Sequence, residues 1–376
     1  MKREVNHLTP RNRRIIRTDF LRENMKKIRS AVPAKVKLLA VVKADGYGHG
    51  AVETSRAALE GGADMLAVAT VSEGIQLRNN GILCPVLVLG AVTATDVMDG
   101  TEYGLIQTVC SADMVQLCEN AASVLNKQTE VHLKIDTGMG RIGVRTEEEL
   151  DIVMEILRKS KHVVLTGAYT HFSDADGDEQ GMRYTDKQYA RFQKLTASLP
   201  NGIIRHCSNS AAIHRRPDYA LDMVRAGISL YGYPPVPEKD LHLKPCMRWT
   251  AKISYIKNLP ANEYISYGRT FRTSSPVRTA TITCGYADGY HRFASGKAQV
   301  IIRGKKVPII GRICMDQMVA DITSVPEASP EDEVILIGEE GGETISAEDI
   351  ARWSGTISYE ILLSTGSRVE RVFFEA

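Results

Sequence analysis

The chain has 376 residues, 43% of them hydrophobic and 24% charged, with a formal net charge of +2. That length suits one large domain plus a smaller one, and the near-neutral balance gives no global electrostatic case for nucleic acid or a membrane surface. No apolar run is long enough to span a bilayer, and seven scattered cysteines without a C-x-x-C pair point to free thiols in a reducing cytoplasm, not to a zinc site or a disulfide framework.

The first seventeen residues, "MKREVNHLTPRNRRIIR", are basic and lack the apolar core of a secretion signal, so they read as a solvated arm. "RTDFLRENMKKIRSAV" then places Leu21, Met25 and Ile28 on one helical face behind Thr18 or Asp19 as cap. Eight apolar runs follow: "VKLLAVVK", "DMLAVAT", "PVLVLG", "LIQTV", "EVHLKID", "VVLTGAYTHF", "GIIRHCS" and "DMVRAGISLYG". Helical patterns lie between them. One carries Met114, Leu117, Cys118, Ala121 and Leu125. Another opens with Thr146 and Glu149 in capping-box spacing and carries Leu150, Val153, Met154 and Leu157.

Near-continuous apolar strands alternating with helices imply a parallel sheet covered on both faces. At this length an eight-stranded (β/α) barrel over residues 15–240 is the natural closure, with a doubly wound open sheet as the runner-up. Pro234, Pro235, Pro237 and Pro245 then mark a linker. Beyond it the period-two alternation of "AQVIIRGKKVPIIGRICMD", with one short helix near "SAEDIARW", indicates a mainly β domain made of residues 241–376 together with 1–14.

Chemistry in such a barrel sits at the C-terminal strand ends. The first strand ends in Lys43, the fifth leads to Asp136 and Arg141, the sixth ends at His171, the seventh at Ser208, Asn209 and Ser210, and the eighth carries Arg225 before Gly227. Converging there, these residues would form a cationic pocket for a small anion. Loops after the last two strands commonly hold phosphate, and a lysine whose pKa is lowered by cationic neighbours suits Schiff-base chemistry. Pyridoxal phosphate, an aldehyde with a phosphate, meets both requirements. Each residue also has a plainer reading: Lys43 could snorkel to solvent, His171 could be a satisfied core histidine or join Asp174 and Asp176 at a metal, and both arginines could be ion-pair partners. Without further ligands the metal reading is weak, and none is expected. "GMGRIG" at 138–143 matches a dinucleotide fingerprint but follows the fifth strand and lacks the later acidic residue; "DTG" at Asp136 lacks the second copy an aspartic protease needs.

"AVVKADGYGHG" resembles the cofactor-lysine motif of bacterial alanine racemases. The likeness continues through "HLKIDTGMGRIGV", "THFSDAD", "CSNSAA", "VRAGISLYG", "ISYGRTF", "GYADGYHR", "GRICMDQ" and "ISYEIL", in the family's order over nearly the whole chain. The resemblance implies a barrel plus a β domain, a homodimer with shared active sites, and pyridoxal 5'-phosphate-dependent interconversion of L- and D-alanine for peptidoglycan. Lys43 would hold the cofactor and act as one base; Tyr267, from the partner subunit, would act as the other. Two bases on opposite faces let the α-proton leave one side and return on the other. Arg225 would face the pyridine nitrogen and Arg141 the phenolic oxygen and substrate carboxylate. His171, bonded to Arg225, would set the environment of Tyr267. Tyr47, Ser210, Gly227, Ile228 and Tyr359 would bind phosphate, and Leu89 and Asn209 would pack on the ring. Met315, Asp316 and Tyr286 would shape the substrate pocket, and Lys134 stands where many members carry a carbamylated lysine. "LLSTGSRVER" departs from the usual cysteine-containing segment. A racemase of serine or of broader range, and a non-catalytic pyridoxal-phosphate carrier, are the competing readings.

Overall fold

The structure is a computed structural model that describes residues 11–236 and 241–375; residues 1–10 of the basic arm and Pro237 of the linker lie outside the described residues. Two compact units are present. One runs from Asp19 to Lys244, and the other joins the described residues up to Thr18 with those from Pro245 onward.

The second of these units begins with β1 (Arg13–Arg17). The first unit contains β2 (Lys37–Val41), β3 (Met65–Val68), β4 (Val86–Val88), β5 (Ile106–Val109), β6 (Thr129–Lys134), β7 (Val163–Tyr169), β8 (Ile204–His206) and β9 (Met223–Ala226). These form an all-parallel sheet in the order β8-β7-β6-β5-β4-β3-β2-β9. The ring is completed by two backbone bonds beside the β8 and β9 ends, Asp222 N to Arg205 O at 3.1 Å and Arg225 N to Ser208 O at 3.1 Å. A barrel therefore forms, as the alternation implies.

The strands are buried on both faces because helices cover the outside. In the helix Thr18–Ala31, Leu21, Met25 and Ile28 are buried, joined by Asn24. The helix Glu147–Lys159 buries Leu150, Val153, Met154 and Leu157. Thr146 caps its Glu149 amide, but the Glu149 carboxylate reaches the Arg145 amide and not that of Thr146, so the expected reciprocal box is shifted by one residue. The helix Ala112–Leu125 is rotated from its expected stripe: Met114, Val115, Cys118, Ala121 and Ala122 are buried, while Leu117 is partly exposed. Small residues at 121 and 122 admit a close approach that a wider stripe of large residues would prevent.

The β unit adds β10 (Met247–Leu259), β11 (Tyr264–Ile265), β12 (Phe271–Arg272), β13 (Val277–Ile282), β14 (Gln299–Ile302), β15 (Lys305–Ile310), β16 (Met318–Asp321), β17 (Glu333–Glu340), β18 (Glu343–Ile345) and β19 (Glu370–Phe374). β10, β13, β16, β15, β14 and β17 pair in a closed antiparallel ring, since β17 also pairs with β10. β14 and β15 form a hairpin across Arg303 and Gly304, both at positive φ, the geometry of a tight two-residue turn. β1 lies between β10 and β19, which draws Ile15 and Ile16 into this unit. The helix Ala347–Ser354 carries a full capping box from Ser346 and Asp349.

Candidate active site

Beyond β2 the chain passes Val42 to Lys43 and then turns left-handed, with Ala44, Asp45, Gly46 and Tyr47 at φ between 51° and 61°. Such backbone costs an L-residue roughly 1–2 kcal/mol, so glycine alone does not explain the bend. Side chains hold it. Glu73 accepts from the Ala44 amide at 2.7 Å and from the Ala69 amide at 2.7 Å, and Asp45 accepts from the Ala51 amide at 3.0 Å. The turn buries Tyr47, whose ring centroid lies 4.7 Å from that of Tyr231. Lys43 itself is half-buried. Its pKa is lowered by burial and by the Arg141 and Arg225 charges, with Glu73 pulling the other way.

Arg225 on β9 is 3% exposed and surrounded by acceptors. Nη1 lies 3.0 Å from His206 Nδ1; Nη2 donates to the carbonyls of Thr170 at 2.9 Å and Cys207 at 3.0 Å and lies 3.3 Å from His171 Nδ1. Burial and the adjacent cations push the His171 pKa well below its usual value. A guanidinium has no acceptor, so any group that completes this site must bring a lone pair.

Lys134, at the end of β6, is 3% exposed and donates to the Ile135 carbonyl at 2.8 Å. Burial first, then Arg225, pushes its pKa down to about 8. Asp136 accepts from the Gly138 amide at 3.1 Å and the Gly140 amide at 3.0 Å. Those loop amides, the apparent dinucleotide fingerprint, are thus turned onto the chain's own carboxylate. Arg141 stands exposed on the same loop.

A small cradle lies beside β9. Ser210 Oγ accepts from the Gly227 amide at 2.8 Å, and Asn209 caps the short helix Ser210–Arg215 through the Ala212 amide at 3.0 Å. A Cβ on Gly227 would stand 3.2 Å from the Tyr47 hydroxyl and 3.5 Å from Ser210 Oγ, so glycine keeps open a space edged by two hydroxyls. Ile228 is buried behind it, and Leu89 is half-buried just after β4.

In the β unit, Tyr267 is 69% exposed on a turn where Ser266 donates to the Arg312 carbonyl at 2.5 Å. The Tyr286 and Ala287 amides donate to the Cys314 and Met315 carbonyls at 3.0 and 2.9 Å. These bonds bring the loops bearing Tyr267, Tyr286 and Met315 together, with all three side chains exposed. Asp316 accepts from Arg368 Nη1 at 2.7 Å, and Tyr359 lies on the helix Ser358–Leu363.

The alanine racemase N-terminal domain model matches residues 16–235, and the alanine racemase C-terminal domain model matches residues 246–373. The chain belongs to the alanine racemase family. Alanine racemase from Desulforamulus reducens is 41% identical over 365 residues, 95% of this chain and 97% of that protein. The Methanococcus maripaludis alanine racemase is 39% identical, covering 94% and 96%. Among solved structures, the alanine racemase of Clostridium difficile 630 superposes with a TM-score of 0.91 at 40% identity, covering 98% of this chain and 97% of that one. The family is one of isomerases, and the barrel with a β C-terminal domain is its architecture.

Inspection of strand ends alone missed several residues of this alanine racemase-family rim. Glu73 holds the turn after Lys43. Tyr169 bonds Thr108 at 2.9 Å and the Leu89 carbonyl at 3.1 Å, lies under Lys134 and Arg225, and stacks on His206 at 4.9 Å. A usable signal was parity: Tyr169 and His171 alternate on one strand, as do His132, Lys134 and Asp136 on another, and polar residues at every second position of a buried strand share a face.

Proposed function

We propose that the protein racemises alanine with pyridoxal 5'-phosphate as cofactor, using Lys43 and Tyr267 of the partner subunit as its two bases. The observation that carries this reading is the placement of Lys43, its ammonium destabilised by burial and two arginines, on the same barrel rim as the Gly227 cradle. The rim fits the cofactor at both ends. Hydroxyls of Tyr47 and Ser210 edge a space that a Cβ would narrow, as a phosphate needs, and the donor-only Arg225 suits an unprotonated pyridine nitrogen.

When bound, the cofactor supplies the electron sink that makes an amino acid's α-proton removable. Lys43 would hold it covalently. Tyr47, Ser210, Gly227, Ile228 and Tyr359 would grip the phosphate, with Leu89 and Asn209 against the ring. Arg225, which can only donate, would face the ring nitrogen and leave it unprotonated, so that the group would be a weaker sink, one less suited to decarboxylation and transamination. Arg141 would orient the substrate carboxylate, steadied by Lys134, carbamylated in this proposal. Lys43 Nζ, freed when the substrate amine takes its place, would take or return a proton on one face and the Tyr267 hydroxyl would do so on the other, in a setting made cationic by Arg225, to which the neutral His171 is hydrogen-bonded. Met315, Asp316 and Tyr286 of the partner-facing β unit would limit the pocket to a small side chain. A head-to-tail homodimer follows, because each site borrows Tyr267, and D-alanine for peptidoglycan is the product proposed for a cytoplasmic enzyme.

Borohydride reduction of the cofactor-loaded protein should fix the chromophore on Lys43 and abolish racemisation, as should Lys43→Ala. Turnover of alanine should exceed that of serine, lysine and arginine. A protein that takes up no chromophore, or a Lys43→Ala variant that still racemises, overturns the reading.

A further inference from the structure

Behind Arg225 lies a buried pair of imidazoles, His206 and His132. His206 Nδ1 is 3.0 Å from Arg225 Nη1, and His206 Nε2 is 3.0 Å from His132 Nδ1. Both histidines have no exposed surface. His132 stands on β6 and His206 on β8, so the pair reaches across β7 between them. The strand makes room twice over. Its register against β6 shifts between Val131 and His132, and the residue paired with His132 is Gly167, where an added Cβ would lie 2.6 Å from His132 Cε1 and Nε2. A bulge and a glycine in a barrel strand cost packing.

The hydrogen bonds fix the protons. Arg225 can only donate, so His206 Nδ1 carries a lone pair and its proton sits on Nε2. That N–H donates to His132 Nδ1, which must also be bare, leaving the His132 proton on Nε2. His132 Nε2 has no hydrogen-bond partner among the described residues. By the same rule His171 Nδ1 accepts from Arg225 Nη2, so its proton is on Nε2 as well. Without an acceptor at His132, His206 Nε2–H would be buried unmet, and a shift of its proton to Nδ1 would set an N–H against the donor-only guanidinium.

We propose that His132 is a positioning residue for the racemase reaction: it holds His206 in its Nε2–H tautomer, so that Nδ1 stays available to fix the Arg225 guanidinium against the cofactor's pyridine ring. The inference rests on the functional reading above, and it extends that site one layer inward, from Arg225 through His206 to His132.

Two measurements test it. In protein selectively labelled with ¹⁵N-histidine, two-bond proton–nitrogen correlations should show His132, His171 and His206 as neutral Nε2–H tautomers at pH 6, where an unperturbed imidazole of pKa about 6.5 is mostly charged. Signals are assigned by their loss in single variants. In kinetics, His132→Leu should lower kcat by about tenfold, the scale on which removing a partner that orients a functional group acts, with KM for alanine little changed. The absorption band of the bound cofactor should shift as Arg225 loosens. His132→Asn, which keeps an acceptor near Nδ1, should restore most of kcat and the band position. An Nδ1–H or doubly protonated His206 in the parent protein overturns the proposal, even if the leucine variant fails to fold. So does a folded His132→Leu variant with parental kcat and spectrum. An inactive parent protein would instead overturn the functional reading, and the tautomers would still be measured independently.

Discussion

At the scale of single residues, burial first and two cations next set the protonation of Lys43. Burial and the charges of Arg141 and Arg225 lower its pKa, so less free energy is needed to hold it neutral and nucleophilic. Tyr267 is exposed in its own unit; in the proposed mechanism the groups that activate it would be those of the partner's site. Tyr267→Ala should therefore slow proton abstraction from L-alanine by at least about a hundredfold while leaving abstraction from D-alanine much closer to parental. Deuterium wash-in from solvent, followed separately for each enantiomer, reads this directly, and equal loss in both directions would contradict the assignment of faces. Lys134 offers a second residue-level prediction. With its pKa pushed down to about 8, about a tenth of it is neutral at pH 7, against well under a thousandth of an ordinary lysine. Only the neutral amine adds carbon dioxide, so a carbamate carbon signal should appear with ¹³C-labelled bicarbonate, grow as pH rises toward 8, and vanish in Lys134→Ala.

The element that matters most is the left-handed turn after β2. Ala44, Asp45 and Tyr47 hold a conformation that glycine would adopt without steric cost, and Glu73 and Asp45 supply the bonds that keep them there. The turn buries Tyr47 four residues after Lys43, which itself stands two residues beyond β2. Ala44→Gly should relieve that strain and stabilise the cofactor-free protein by about 0.5–1 kcal/mol, the steric gain less the added entropy of the unfolded chain. Its kcat should fall, because Lys43 would lose its rigid support. Urea midpoints and steady-state rates on the same preparations check both halves. A similar trade appears on β7, where the bulge and Gly167 forgo packing to admit His132.

For the whole molecule, the buried imidazoles make stability depend on pH. His132 is pushed down to about 3, and His171 and His206 lie well below their usual value, each through burial first and Arg225 next. Lys43, Lys134 and Arg141 add to the positive field at His171. All three rings are neutral in the folded chain and protonate freely once it unfolds. The stability they confer is complete above about pH 6.5 and is lost as pH falls below it, at about 1.4 kcal/mol per pH unit for each group once the unfolded imidazole is fully charged. Together the slope should approach about 4 kcal/mol per unit near pH 5.5, before most carboxylates titrate. Urea unfolding at pH 7.5, 6.5 and 5.5 measures it, and His132→Leu should remove about a third of the slope. A flat profile across that range would show that the rings are not held neutral.

Much of this molecule is legible in order along the chain. Alternating apolar strands and helices specify a parallel sheet covered by helices, the prolines up to Pro245 fall where the chain changes to a β unit, and Lys43 just after the first strand with Arg225 and Gly227 near the last outlines the rim. These features are local: each depends on periodicity or on a residue's position in its own element. The closure of the ring, the shifted helix stripe at Val115 and Ala122, and the reach of His132 across Gly167 to His206 were decided only by tertiary structure. Parity groups the polar residues of one strand on one face, but in a parallel barrel both faces of every strand are buried, so the apolar runs carry no mark of which side chains from different strands meet in the interior. That sharing is settled when strands seventy or more residues apart are brought into register, as β6 and β8 are by the β7 strand between them.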